Sequence, residues 1–76
     1  MAKVFDKKFH KKVGKRIKEL REEKGLTQEE LSFEIGAGNS YIAIAENALR
    51  DIPLSKIHKI SKVLNVSLYE FFEFDK

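Results

Sequence analysis

The stretch Leu26 to Asn47, LTQEELSFEIGAGNSYIAIAEN, decides how this chain folds. Thr27 stands as an N-cap, and Glu30, three residues on, completes a capping box. Leu26 before the cap and Leu31 inside the helix form a hydrophobic staple. The helix so started runs to about Ile35 and stops at Gly36. Gly36-Ala37-Gly38 is too short for a linker and lies between two helical patterns, so it reads as a tight turn. A further helix runs from about Asn39 to Asn47. Residues 27–47 therefore form two short helices meeting at a glycine-containing turn.

Outward from this unit the pattern stays helical, with almost no strand signal. Upstream, Phe9, Val13, Ile17 and Leu20 recur at spacings of four, four and three. They make one apolar stripe on a helix from about Asp6 to Lys24, ended by Gly25. Downstream, an irregular stretch around Arg50-Asp51-Ile52-Pro53 leads into a fourth helix, whose first turn can hold the proline. Leu54, Ile57, Ile60, Val63 and Leu64 share one face of that helix, and Asn65 is a left-handed stop. Ser67 and Glu70 make a second capping box, stapled by Val66 and Phe71, for a short fifth helix over Leu68 to Phe72. The expectation is an all-α, five-helix domain spanning residues 1–76, with a basic lead-in over 1–7.

Composition narrows the function classes. A chain of 76 residues buries only about 60% of its unfolded surface, so caps, close helix packing or a partner subunit must support the core. With no cysteine there is no disulfide, thiolate metal site or cysteine nucleophile. His10 and His58 lie far apart, and neither has a second ligand at metal-binding spacing. No nucleophile–base pair or phosphate-cradling glycine loop is present, so an enzyme, a cofactor and a small-molecule ligand are not expected. No apolar run approaches the roughly 18 residues of a membrane span, and no signal-peptide core is seen, so the expected compartment is the cytoplasm. The net charge of +3 is unevenly spread: Lys3, Lys7, Lys8, Lys11, Lys12, Lys15, Arg16 and Lys18 crowd the first quarter. Glu70, Glu73 and Asp75 make the other end acidic. The basic end is either a solvated helix face or an attractor of phosphate.

A bihelical unit of this kind can push its second helix into the DNA major groove, although short helix–turn–helix pieces also occur in proteins that never touch DNA. The run Gly14 to Leu31, GKRIKELREEKGLTQEEL, resembles the opening of the Cro/C1 (Xre-type) family of phage-repressor-like regulators. Ser40-Tyr41-Ile42, Glu46-Asn47 and Arg50-Asp51 fall where that family has its recognition helix and following loop. Ile57 to Ser67 resembles its fourth helix and the entry to the fifth, and Arg50 to Leu54 resembles restriction–modification controller proteins.

The resemblance implies a sequence-specific transcriptional regulator of double-stranded DNA, acting as a two-fold dimer. It implies roles residue by residue. Gln28 is a phosphate contact at a helix start, where free N–H groups favour anions. Asn39 and Ser40 sit in the first exposed turn of the recognition helix, where Asn can pair with adenine. Tyr41 either touches phosphate through its hydroxyl or packs against helix 2. Arg21 and Glu46 form a structural pair tying helix 1 to the recognition helix. Asn47 and Arg50 contact the backbone from the following loop, unless Arg50 pairs with Asp51 or a helix-1 carboxylate.

Part of helix 3 departs from the family's pattern. Ile44 stands where a polar side chain faces the groove, beside Ala43. Ala45 replaces a large core aliphatic, a truncation that costs about 2–5 kcal/mol if nothing fills the gap. Ala48 stands where glycine is common and Leu49 where a basic residue is. A helix apolar nearly all round is buried on more than one side. Either it shifts so that Ile44 or Leu49 refills the core, or its outer face meets another protein. A second reading follows: a protein–protein association module, evolved or engineered, whose oligomer interface takes in Ala43, Ile44, Ala48 and Leu49. Phe72 and Phe74 add an apolar cluster suited to a dimer contact.

Overall fold

A computed structural model describes residues 6–74, so residues 1–5 of the basic lead-in, and Asp75, lie outside the described part. Five helices follow in order: α1 (Lys7–Glu23), α2 (Gln28–Glu34), α3 (Tyr41–Glu46), α4 (Leu54–Val63) and α5 (Leu68–Phe71). Among the described residues there is no strand, and the all-helical architecture is the one expected.

Helices α1, α2 and α5 start where a side chain takes an orphan N–H, whereas α3 and α4 have no side-chain cap. Asp6 caps α1, its carboxylate accepting from the Phe9 N–H at 3.0 Å. Thr27 and Glu30 close both halves of their capping box, at 3.0 and 2.8 Å. Ser67 makes one half of the second, accepting from the Glu70 N–H at 3.0 Å. Pro53 precedes the first helical residue of α4 rather than sitting inside it. Asn65 takes the left-handed conformation expected of a stop, at φ 58°.

The core gathers Val13, Ile17 and Leu20 of α1, Leu31 and Ile35, Ile42 and Ala45, Ile57, Ile60 and Leu64, and Phe71. Phe9, read as part of the α1 stripe, lies in the first turn of α1 and is instead 45% exposed. Its ring lies beside Phe74, with centroids 6.2 Å apart.

Ala45 is buried at 3% exposure, and α1 comes up close beside it. A Cβ at Gly14 would stand 2.6 Å from the Glu46 carbonyl oxygen and 2.9 Å from that of Ala45. The missing side chain lets α1 close directly onto the end of α3, with small residues on both sides of the crossing. Leu49, expected as one candidate to refill the core, is instead 63% exposed. Ala48 is 2% exposed and holds φ 56°, a conformation that suits glycine better than an L-residue. It belongs to the core and cannot serve the outward interface expected of it.

Candidate nucleic-acid interface

The angle between α2 and α3 is set from below. Ser32, buried on α2, donates its hydroxyl to the Gln28 carbonyl at 2.8 Å. The same oxygen accepts the Ile42 N–H at 3.1 Å, joining the two helices through one atom. The intervening turn closes with Gly36 at φ 73° and the Ala37 N–H donating to the Ser32 carbonyl at 2.9 Å.

A second brace joins three helices. The Arg21 guanidinium donates to both Glu46 oxygens, Nε to Oε2 at 2.7 Å and Nη2 to Oε1 at 3.1 Å. Its Nη1 donates to the Leu26 carbonyl at 2.7 Å. Gln28 Nε2 adds a bond to Glu46 Oε1 at 2.9 Å. The two charged side chains are only 9% and 5% exposed, so the fork geometry of arginine fixes orientation in a nearly dry site. Hydrogen bonding to Glu46 raises the Arg21 pKa.

Above these braces the candidate contact residues separate into groups. Asn39 and Ser40 are exposed, but they precede α3 instead of forming its first turn, since the helix begins at Tyr41. Arg50 is exposed in the loop after α3. Its expected alternative partner, Asp51, turns to His10 instead, Nε2 to Oδ1 at 2.6 Å. Gln28 is half-buried and already holds Glu46, and exposed Asn47 donates its amide to the Ala43 carbonyl at 2.8 Å. Tyr41 offers a ring rather than a hydroxyl: its oxygen is buried without a hydrogen-bond partner, and burial raises the phenol pKa. The Lys56 ammonium lies 5.8 Å from the centre of that ring. Ala43 and Ile44 are partly covered, Ile44 lining a narrow cleft with Tyr41, Arg50 and Ile52.

With the bihelical unit so built, the family can be stated. A sequence model of the helix-turn-helix family matches residues 17–71. This chain belongs to the helix-turn-helix family. It is 36% identical over 62 residues to the transcriptional regulator SinR of Bacillus subtilis (strain 168), covering 80% of this chain and 56% of that protein. It is 34% identical over 62 residues to control protein C.BamHI of Bacillus amyloliquefaciens, covering 80% and 76%. With control protein C.MunI of a Mycoplasma species it shares 37% over 60 residues, covering 78% and 81%. The chain spans about half the length of the SinR proteins it matches, 56% in one and 52% in another. The controller-like resemblance of the loop is in keeping with the two control proteins.

Three contributors escaped the sequence reading. Ser32 reads as an ordinary polar helix residue, and no local signal marks it as the bridge between α2 and α3. Gly14 did carry a signal, because a lone glycine inside a helical pattern marks close backbone approach. No local signal marks the partner of His10, Asp51, which stands 41 positions away. Among the described residues no His, Cys, Asp or Glu group could hold a metal ion, and no helix is long and apolar enough to cross a membrane.

Proposed function

We propose that this helix-turn-helix chain is a DNA-binding transcriptional regulator that reads duplex DNA as a homodimer. Asn39 and Ser40, at the entry to α3, face the bases of the major groove, and Arg50 grips the adjacent backbone. One observation carries this reading: Asn39, Ser40 and Arg50 stand exposed while Glu46 at the end of α3 is clamped by Arg21 and Gln28. Polar groups left in water beside a rigidly held helix are what base recognition requires. The names of SinR and of the control proteins support the same reading.

Partly covered Ile44 and Ala43 limit polar readout to the start of α3, and Ile44 is suited to a thymine methyl. Gln28 keeps one amide hydrogen beyond its bond to Glu46, enough for one phosphate oxygen. The dimer uses apolar surface away from the groove. Phe9, Ile52, Leu54 and Phe72 line an open cleft of about 240 Å³, with Leu54 71% and Phe72 37% exposed. Two copies meeting there would set their α3 helices against successive major grooves, about 34 Å apart.

The test is selection of duplexes from a random pool, followed by fluorescence anisotropy at low and moderate salt. Asn39→Ala is expected to relax base preference at one position, and Arg50→Gln to weaken binding to every duplex alike. No binding at low salt ends the proposal. Analytical ultracentrifugation of Leu54→Asp checks the dimer separately, a monomer being the expected product.

A further inference from the structure

The lysines of α1 take no part in the site described so far. Lys7, Lys11, Lys15 and Lys18 are all exposed, and among the described residues none of them makes an ion pair. At about 100° per residue, Lys7, Lys18 and Lys11 project within about 40° of arc, with Lys15 about 40° further on. Gly14 lies about 20° to the other side of Lys7 on the same helical projection.

Gly14 is the point at which α1 meets the carbonyls of Ala45 and Glu46, immediately before exposed Asn47. The same edge of α1 also carries His10, bound to Asp51 of the following loop, and Arg21, bound to Glu46. The line of ammonium groups therefore borders, on its solvent side, the edge that holds α3 and the loop with Arg50. Positive charge is not spread evenly over the molecule. The outer surface of α2 is acidic, with Glu29, Glu30 and Glu34 exposed around Phe33.

We propose that Lys7, Lys11 and Lys18 form a second phosphate-binding line, gripping the duplex backbone beside the groove that α3 enters. This rests on the DNA-binding reading above. Ammonium groups on flexible stems act as point charges, so they add affinity and salt dependence without reading bases.

The experiment compares wild type, K11Q/K18Q and K59Q/K62Q by anisotropy over a series of salt concentrations. Each is measured on a duplex selected by the wild-type chain and on a random duplex. Lys59 and Lys62 are exposed on α4, which packs against α2 and α5, so the second variant loses the same charge elsewhere. For K11Q/K18Q the slope of log K against log salt is expected to become shallower by roughly 2, equally on both duplexes. K59Q/K62Q is expected to keep the wild-type slope. If wild type binds but K11Q/K18Q leaves the slope unchanged, or K59Q/K62Q flattens it equally, the lysine line is wrong and DNA binding stands. If wild type binds no duplex at low salt, both fall.

Discussion

Replacing Gly14 by alanine sets two well-understood effects against each other. In an isolated helix the change stabilises by about 1 kcal/mol, because alanine loses less backbone freedom. Here the added methyl meets two backbone oxygens, at 2.6 and 2.9 Å, neither of which can swing aside as a side-chain tip would. Overpacking of this kind costs about 1–3 kcal/mol, and two rigid contacts place it at the upper end. Subtracting the helix gain leaves a net loss of about 2 kcal/mol. In a domain of this size each kcal/mol moves the midpoint by about 4–8 °C, so Gly14→Ala should melt about 8–16 °C lower. Thermal unfolding followed by circular dichroism reads this directly. Gly38→Ala is the control, since a Cβ there meets nothing within 4 Å, and it should melt at or slightly above wild type. A Gly14→Ala protein as stable as wild type would show that α1 and α3 do not close upon each other as described.

Three further outcomes are expected. Tyr41→Phe removes a buried hydroxyl that has no partner and should raise the urea midpoint by about 1 kcal/mol equivalent; a lower midpoint would mean that the hydroxyl is bonded. Glu46→Ala strands Arg21 and Gln28 and should cost roughly 3 kcal/mol in the same assay, while R21M/E46L should cost less than either single change. His10 has its pKa raised, first by its bond to the Asp6 carbonyl and then by Asp51, against a lowering from burial. A raised native pKa favours the protonated form in the folded state. Its stabilisation is therefore complete below about 6.5 and fades as pH climbs through the native value. His10→Gln should accordingly lower the melting midpoint at about pH 5.5 and leave it nearly unchanged at about pH 8.5, and equal losses at both would refute the linkage.

What could be read from the sequence was whatever depends on neighbours. Thr27 with Glu30, Ser67, Gly25, Gly36 and Asn65 are local signals, and each marks the boundary expected of it. The apolar periods placed most of the core for the same reason. The Arg21–Glu46 pair came from the family resemblance, because nothing within either helix announces a partner 25 positions away. The surface character of α3 was read less well. Counting its apolar residues suggests burial on more than one side, yet Leu49 stays outside and Ala48 goes in, since the left-handed turn at Ala48 redirects the chain after Asn47. Asn39 and Ser40 were expected inside a helix that starts two residues later, a difference decided by the turn closing from the Tyr41 N–H to the Gly38 carbonyl at 3.0 Å.

The single oxygen of Ser32 separates two jobs that a tight turn usually shares. Because that hydroxyl holds α2 to α3 from the interior, the outward residues between them carry no duty as a hinge. Asn39 and Ser40 can then be exchanged with little penalty to folding. If Asn39 and Ser40 read bases as proposed, a lineage carrying this arrangement can retune its binding preference by point changes at the turn while the scaffold beneath stays the same.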